Sequence, residues 1–416
     1  MWGIPAFLFF FAFLHRVAPG VIVKEIMRTF NASGEIIGLL SAMYFFAYAG
    51  LMIPAGLLID SFGVRSVVAG GGAIMGLGSL AMGLAPSEAL LMAGRFLVGM
   101  GATVTFIGAL KVAANWFPPS HFGTLAAVTA TVGLMGALGG TAPLAAMVAV
   151  VGWRGAFTSI GVLTLAGAVT CALVVREHPP GAAAAVTTVP RPAEVLRGLL
   201  RVLGNRHTWP PFLAFFFAYA AMGNLMLWII PFLRDIYGLP TTTAATYASS
   251  ISFALLFSAP LTGYLSDQIL RRRKLPYTVL SSCLFALWVT VALTAGTLPL
   301  WGVAALLFGM GGVGGAFVLT WPLGREVNPP HLAGTAVAVA NMGGFVGAAL
   351  TQKYVGSVLD AGWAGAVSEG ARVYPVAAYA AAFKVCAAFA LIAAGLSLLL
   401  RETRGRNIYH ELHSRR

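Results

Sequence analysis

Gly56-Leu-Leu-Ile-Asp60-Ser-Phe-Gly63-Val-Arg65 lies between two long apolar runs, with a turn-prone glycine set between an acid and a base. Its opening returns further along the chain as Gly263-Tyr-Leu-Ser-Asp267, followed by the basic run Arg271 to Lys274. Other stretches return in the same order. Phe9-Phe-Phe-Ala-Phe13 matches Phe215-Phe-Phe-Ala-Tyr219, and Leu97-Val-Gly-Met-Gly101 matches Leu307-Phe-Gly-Met-Gly311. Pro118-Pro119 with Gly123-Thr124 matches Pro329-Pro330 with Gly334-Thr335. The offset stays between 206 (Phe9 to Phe215) and 211 (Pro118 to Pro329) in a chain of 416 residues. One unit has been duplicated, and such a repeat sets the architecture before any motif is considered.

The solvent of that unit is lipid. Hydrophobic residues make up 59% of the chain and charged residues 9%, whereas soluble domains carry about a quarter charged residues. The apolar runs are each about 20 residues long, the length a helix needs to cross about 30 Å of hydrocarbon. Twelve spans are expected, at 3–24, 36–59, 66–85, 89–114, 122–150 and 154–175, then 209–233, 243–265, 276–296, 299–322, 332–358 and 376–400. This gives an all-α membrane protein of two pseudo-symmetric six-helix bundles, residues 1–177 and 207–400. A connector (178–206) joins them and a tail (401–416) follows. Small-xxx-small pairs such as Gly72 with Gly76, Gly136 with Gly140 and Gly311 with Gly315 predict close helix packing.

The net charge of +13 does not point to nucleic acid. The basic residues sit in alternate connectors, with Arg65, Arg176 to Arg206, Arg271 to Lys274, Arg325 and the tail (Arg401 to Arg416) on one side. The positive-inside rule makes that side cytoplasmic and places both termini there, in a bacterial-type inner membrane. The opening stretch lacks a basic n-region and reads as a retained span. Within the connector, Glu194 to Leu203 has an amphipathic pattern suited to an anionic lipid surface. Both copies start on the same side, so the repeats are parallel, the arrangement of carriers with a site between the halves. Cys171, Cys283 and Cys386 lie in apolar spans without pairing or metal spacing. No cofactor, metal or P-loop is expected.

The Gly56 to Arg65 stretch resembles the signature between helices 2 and 3 of the major facilitator superfamily, and the resemblance covers essentially the whole chain. It implies a latch at the cytoplasmic face built from Gly56, Asp60, Gly63, Arg65, Arg95, Gly263, Asp267, Arg271, Arg325 and Glu326. In the second copy Ile269-Leu270 stand where the glycine is expected. Arg95, before Gly99 and Gly101, resembles the helix-4 arginine that bonds to helix-1 backbone. The fifth span lacks the Gly-Pro dipeptide of drug/proton antiporters, which disfavours drug efflux.

A charge at mid-span costs about 2.5 to 3.5 kcal/mol on the insertion scale, so such a residue signals function. Arg16 stands in span 1 after Phe13-Leu-His15, where it resembles the helix-1 arginine of anionic-solute carriers. Its guanidinium can grip a carboxylate by two parallel hydrogen bonds. The helix-7 arginine of the organophosphate carriers has no counterpart at Met222 to Asn224, which weakens a dianionic phosphate. Lys353 resembles the helix-11 lysine of oxalate/formate exchangers; snorkelling to the surface is its other reading. Tyr44, Tyr48, Asn224, Trp228 and Asn341 lie in spans that line the cavity in this family, and helix packing is the alternative for each. No acidic residue is placed near mid-span, which predicts an electropositive cavity. His15 is the one span group with an ordinary pKa near neutrality.

The expected function is transport of a small organic anion, a carboxylate, by a monomer coupled to protons or a counter-solute. A drug or peptide exporter and a ligand sensor of the same fold are the alternatives. An enzyme is disfavoured, because no nucleophile, base and orienting group converge.

Overall fold

The computed structural model describes residues 1–179 and 192–414. Among them are eleven helices long and apolar enough to cross a membrane. A twelfth span is the bent pair α1 (Gly3–Val17) and α2 (Pro19–Phe30), inclined by 54°. The single span expected over 3–24 is instead a bent pair that runs on to Phe30. Pro19 has no amide hydrogen and ends the regular ladder, so the chain bends at Ala18. The first set continues with α3 (Gly34–Phe62), α4 (Val64–Gly83), α5 (Glu88–Trp116), α6 (Pro119–Gly139) and α7 (Ala142–Val174). The expected fifth span, 122–150, is interrupted at Gly140–Thr141, and the turn into the sixth falls at Gly152, with φ +70° inside α7.

Residues 180–191, the earlier part of the expected connector with Pro190, lie outside the described residues, as do Arg415 and Arg416. The connector's later part forms α8 (Pro192–Gly204). Its buried Val202 packs with Phe212, Ala336 and Val339, while Leu196 and Leu200 remain exposed. The second set is α9 (Trp209–Tyr237), α10 (Thr241–Tyr264), α11 (Lys274–Leu293), α12 (Leu300–Gly314), α13 (Thr320–Glu326), α14 (Ala333–Ala361) and α15 (Val376–Ser397). A 3-10 turn over Gly315–Leu319 separates α12 from α13. A two-strand hairpin, β1 (Val367–Ser368) and β2 (Ala371–Arg372), lies between α14 and α15, and α16 (Tyr409–His413) closes the tail.

The repeat is visible in the packing. Gly136 of α6 meets the Phe10 carbonyl of α1, and Gly347 of α14 meets the Phe216 carbonyl of α9. Phe10 and Phe216 are repeat mates, so both sets join their first and fifth spans where a glycine lets backbones touch. Across the sets, α3 runs along α14. Gly38 lies against the Gln352 backbone and Gly356 against that of Gly34. The loops that hold Asn205, Arg273, Glu326 and Asn407 share one end, tied by Asn205 to the Val327 carbonyl (2.8 Å) and Ile408 N to the Glu326 carbonyl (2.8 Å). That end is the connector end; the hairpin marks the other.

Candidate functional site

A cavity opens between the two sets and runs into the second, between α9, α10, α11 and α12. Arg16 is the one Lys, Arg, Asp or Glu among its lining residues. It reaches the cavity because the bend at Ala18 ends α1 just beyond it. Its guanidinium carbon lies 4.0 Å from the centroid of Phe13, 5.0 Å from Phe345, 5.2 Å from Tyr48 and 5.8 Å from Tyr44. The hydroxyls of Tyr44, Tyr48 and Tyr219 stand around it. Nε and Nη2 have no hydrogen-bond partner, and no ion pair to Arg16 occurs among the described residues. Aromatic faces stabilise a cation without neutralising it. Two buried donors of the guanidinium are thus left without a hydrogen-bond acceptor.

Tyr44 donates to the Ala12 carbonyl at 3.0 Å and stacks on Tyr48, with centroids 5.8 Å apart. Both flank Arg16. The remaining expected contacts are placed elsewhere. His15 is buried inside the first set, its ring 5.8 Å from Phe157, and does not line the cavity. Helix periodicity explains this: adjacent residues differ by about 100°, so His15 and Arg16 cannot share a face. Lys353 is 52% exposed and pairs with Glu35 at 3.1 Å, at the surface of the hairpin end. Asn224 bonds to the Ala220 carbonyl and to Thr351 Oγ1 (3.1 Å), joining α9 to α14. Trp228 is buried against Tyr374, and Asn341 accepts from Trp321 Nε1 at 3.0 Å, beside Met52. None of these four lines the cavity.

The sequence reading missed Tyr219, Ser252, Tyr277 and Gln352, which do line it. For Tyr219 a signal was present, since it is the repeat mate of Phe13 and brings a hydroxyl to the same depth. The others look like ordinary span residues.

The hairpin end is sealed by bonds between the sets. Lys24, only 7% exposed, contacts Asp235 at 2.6 Å and the Arg372 carbonyl at 2.5 Å. Arg234 pairs with Glu25 at 3.3 Å. Asp360 at the end of α14 accepts the first amides of α3, Gly34 N at 2.9 Å and Glu35 N at 2.8 Å, and so acts as an N-cap for a helix of the other set. Arg372 (3.0 Å) and the Tyr374 hydroxyl (2.6 Å) hold the same carboxylate. Burial raises the Tyr374 phenol pKa, and its bond to Asp360 raises it further. Thr141 and Ser249 hydroxyls meet at 2.8 Å nearer the cavity. Toward the connector end the one side-chain bond between the sets, among the described residues, is the weak contact of Asn341 with Met52 Sδ at 3.8 Å.

The expected latch residues bond within their own sets. Asp60 pairs with Lys111 at 2.8 Å. Gly63 turns at φ +81°, and the Glu177 carboxylate caps the next helix through Val64 N (3.1 Å) and Arg65 N (3.0 Å). Among the described residues nothing lies within 4 Å of where a Cβ on Gly56 or Gly263 would stand. Arg95 donates to the His15 carbonyl at 2.5 Å. Arg273, not Arg271, pairs with Asp267 and with Glu326 (3.4 Å); the chain turns at Arg271, with φ +48°. Arg325 lies 3.7 Å from Glu326, whose other oxygen accepts from Thr403 at 2.5 Å.

Two related helix sets that enclose a cavity and are joined at one end by polar bonds have the architecture of a membrane transporter. The chain belongs to the Major Facilitator Superfamily, whose sequence profile matches residues 6–352. It is 26% identical to the hexuronate transporter of Bacillus subtilis (strain 168), over 84% of this chain and 87% of that one. It is 24% identical to the "Probable galactarate/D-glucarate transporter GarP" of Escherichia coli (strain K12), over 83% and 84% of the two chains. Its fold is similar to that of a bacterial homologue of the human lysosomal transporter Spinster, with a TM-score of 0.76 at 18% identity, over 96% of this chain and 95% of that one.

Proposed function

We propose that this transporter carries a small organic anion across a bacterial inner membrane, gripping its carboxylate with Arg16. The observation that carries the reading is a cation in the cavity with two free donors and no acidic partner among the described residues. A buried charge left unpaired is costly, so an incoming carboxylate gains both the ion pair and the bidentate bonds. The relatives named for hexuronate and for galactarate/D-glucarate support an anionic cargo.

With the connector end in the cytoplasm, where the positive-inside rule puts it, this conformation is sealed toward the outside. Opening there requires the bonds of Asp235 and Asp360 to break, while Asp60, Arg65, Asp267 and Glu326 repair at the connector end as its latch. No acidic side chain is among the residues lining the cavity, so coupling runs through the cargo: a proton travels on its carboxylate, or one anion leaves as another enters. His15, sealed in the first set, has no part in this reading.

The test is counterflow of carboxylates in proteoliposomes with wild type, Arg16→Lys and Arg16→Ala. Saturable exchange is expected in wild type, weakened in the lysine variant and lost in the alanine variant. Undiminished exchange in Arg16→Ala refutes the proposal.

A further inference from the structure

The shape and lining of the cavity narrow the cargo further, on the reading that its carboxylate meets Arg16. We infer that it is a monoanion with a compact apolar body, which enters the chamber between α9, α10, α11 and α12 and ends in one polar group facing Tyr277.

Arg16, on α1 of the first set, is the single Lys or Arg among the residues lining the cavity. A second carboxylate on the cargo would be buried without a counter-charge. Most of the chamber wall is apolar, with Met222, Met226, Leu255, Leu280, Leu284 and Val313, and Ser281 stands among them. A sugar acid placed here would strip water from several hydroxyls with few partners, whereas methylene or aryl groups gain from leaving water. Polar capacity in the chamber is small and specific. Tyr277 and Ser252 are each 1% exposed, and their hydroxyls complete no hydrogen bond. Tyr277 and Thr320 approach each other, yet neither hydroxyl is satisfied by the contact. One hydroxyl or carbonyl on the cargo would satisfy that end.

The chamber has a cause in the backbone. Gly314 ends α12 and Gly315 begins the 3-10 turn. A Cβ on Gly314 would lie 3.3 Å from Met222 and 3.4 Å from Leu255. At the matching positions of the first set, Val104 and Thr105 sit buried in the unbroken helix α5. Gly314 stands where the first set has Val104 and leaves its side of the chamber open, while Gly315 lets the chain pack against the Ser258 backbone of α10.

The experiment measures binding to the full chain in proteoliposomes for acetate, propionate, butyrate, hexanoate, 4-hydroxyphenylacetate and glucuronate, with partition into protein-free vesicles subtracted. The variants are Arg16→Ala, Gly314→Leu and Leu284→Ala. Affinity is expected to rise about fourfold per added methylene, with glucuronate at least about tenfold weaker than hexanoate. Gly314→Leu should remove the gain beyond propionate and leave acetate unchanged. Leu284→Ala, which enlarges the chamber and keeps the inference testable if the leucine variant does not fold, should shift the preference toward the longer acids. If glucuronate binds best and chain length brings no gain, while Arg16→Ala still abolishes binding, the apolar-body inference fails and the carboxylate reading stands. If no acid depends on Arg16, both fail. A chain-length gain unaltered in both chamber variants puts the body elsewhere and overturns the inference.

Discussion

Asp360→Asn removes one charge and changes few atoms, and its effect can be worked from the bonds that cross between the sets. Of the four groups from which Asp360 accepts, Arg372 and Tyr374 belong to its own set, so its contribution to closing the hairpin end lies in the amides of Gly34 (2.9 Å) and Glu35 (2.8 Å). A hydrogen bond to a charged group contributes about 1.5 to 3 kcal/mol and a neutral one about 0.5 to 1.5 kcal/mol. The carboxylate is 18% exposed, so the low end of the charged range applies. Asparagine has one acceptor oxygen. Two bonds of about 1.5 kcal/mol become one of about 1 kcal/mol, a loss of about 2 kcal/mol, which shifts the closed-to-open ratio roughly 30-fold. The assay is double electron-electron resonance between spin labels at Asn31 and Ala364, both exposed at the hairpin end. A longer distance should gain population in Asp360→Asn. An unchanged distribution in a variant that still folds would refute the assignment of Asp360 as the tie between sets.

Glu177→Gln should weaken the cap on the start of α4, which the carboxylate makes through two amides; a loss of about 1 kcal/mol predicts a lower melting temperature, read by differential scanning fluorimetry. Asp60→Asn, by contrast, breaks a pair whose side chains are 38% and 34% exposed; it should leave that temperature nearly unchanged while altering transport turnover, and normal turnover would argue against a latch role. Gly136→Leu and Gly347→Leu should both lower the yield of folded protein, because each side chain drives into a facing carbonyl, of Phe10 or Phe216; a tolerated change at either would break the packing symmetry. Tyr374 has its pKa raised above the ordinary 10.0 by burial and then by Asp360. The native state therefore holds that proton more tightly, and the stability it contributes is present below about pH 10 and lost as pH rises further. Tyr374→Phe should flatten the alkaline part of a plot of melting temperature against pH.

The sequence alone determined the membrane solvent, the duplicated unit and most span limits. These depend on composition and on runs longer than a bilayer is thick, properties that neighbours along the chain carry. It also singled out Arg16, because an unneutralised charge in an apolar run has no local explanation. The bend at Pro19 was legible in principle, yet a single proline inside an apolar run does not say whether the span continues straight. Tertiary structure decided which face each side chain shows. His15 and Arg16 are neighbours in sequence and part company through a rotation of about 100° per residue. Asp235 and Asp360 drew no notice in the sequence, and only the fold brings Lys24 and the start of α3 to them from more than 200 residues away. Arg273 displaced Arg271 as the partner of Asp267 because the backbone turns at Arg271. The chamber beside Tyr277 depends on what four helices leave unfilled, and an unfilled volume has no residue of its own in the sequence.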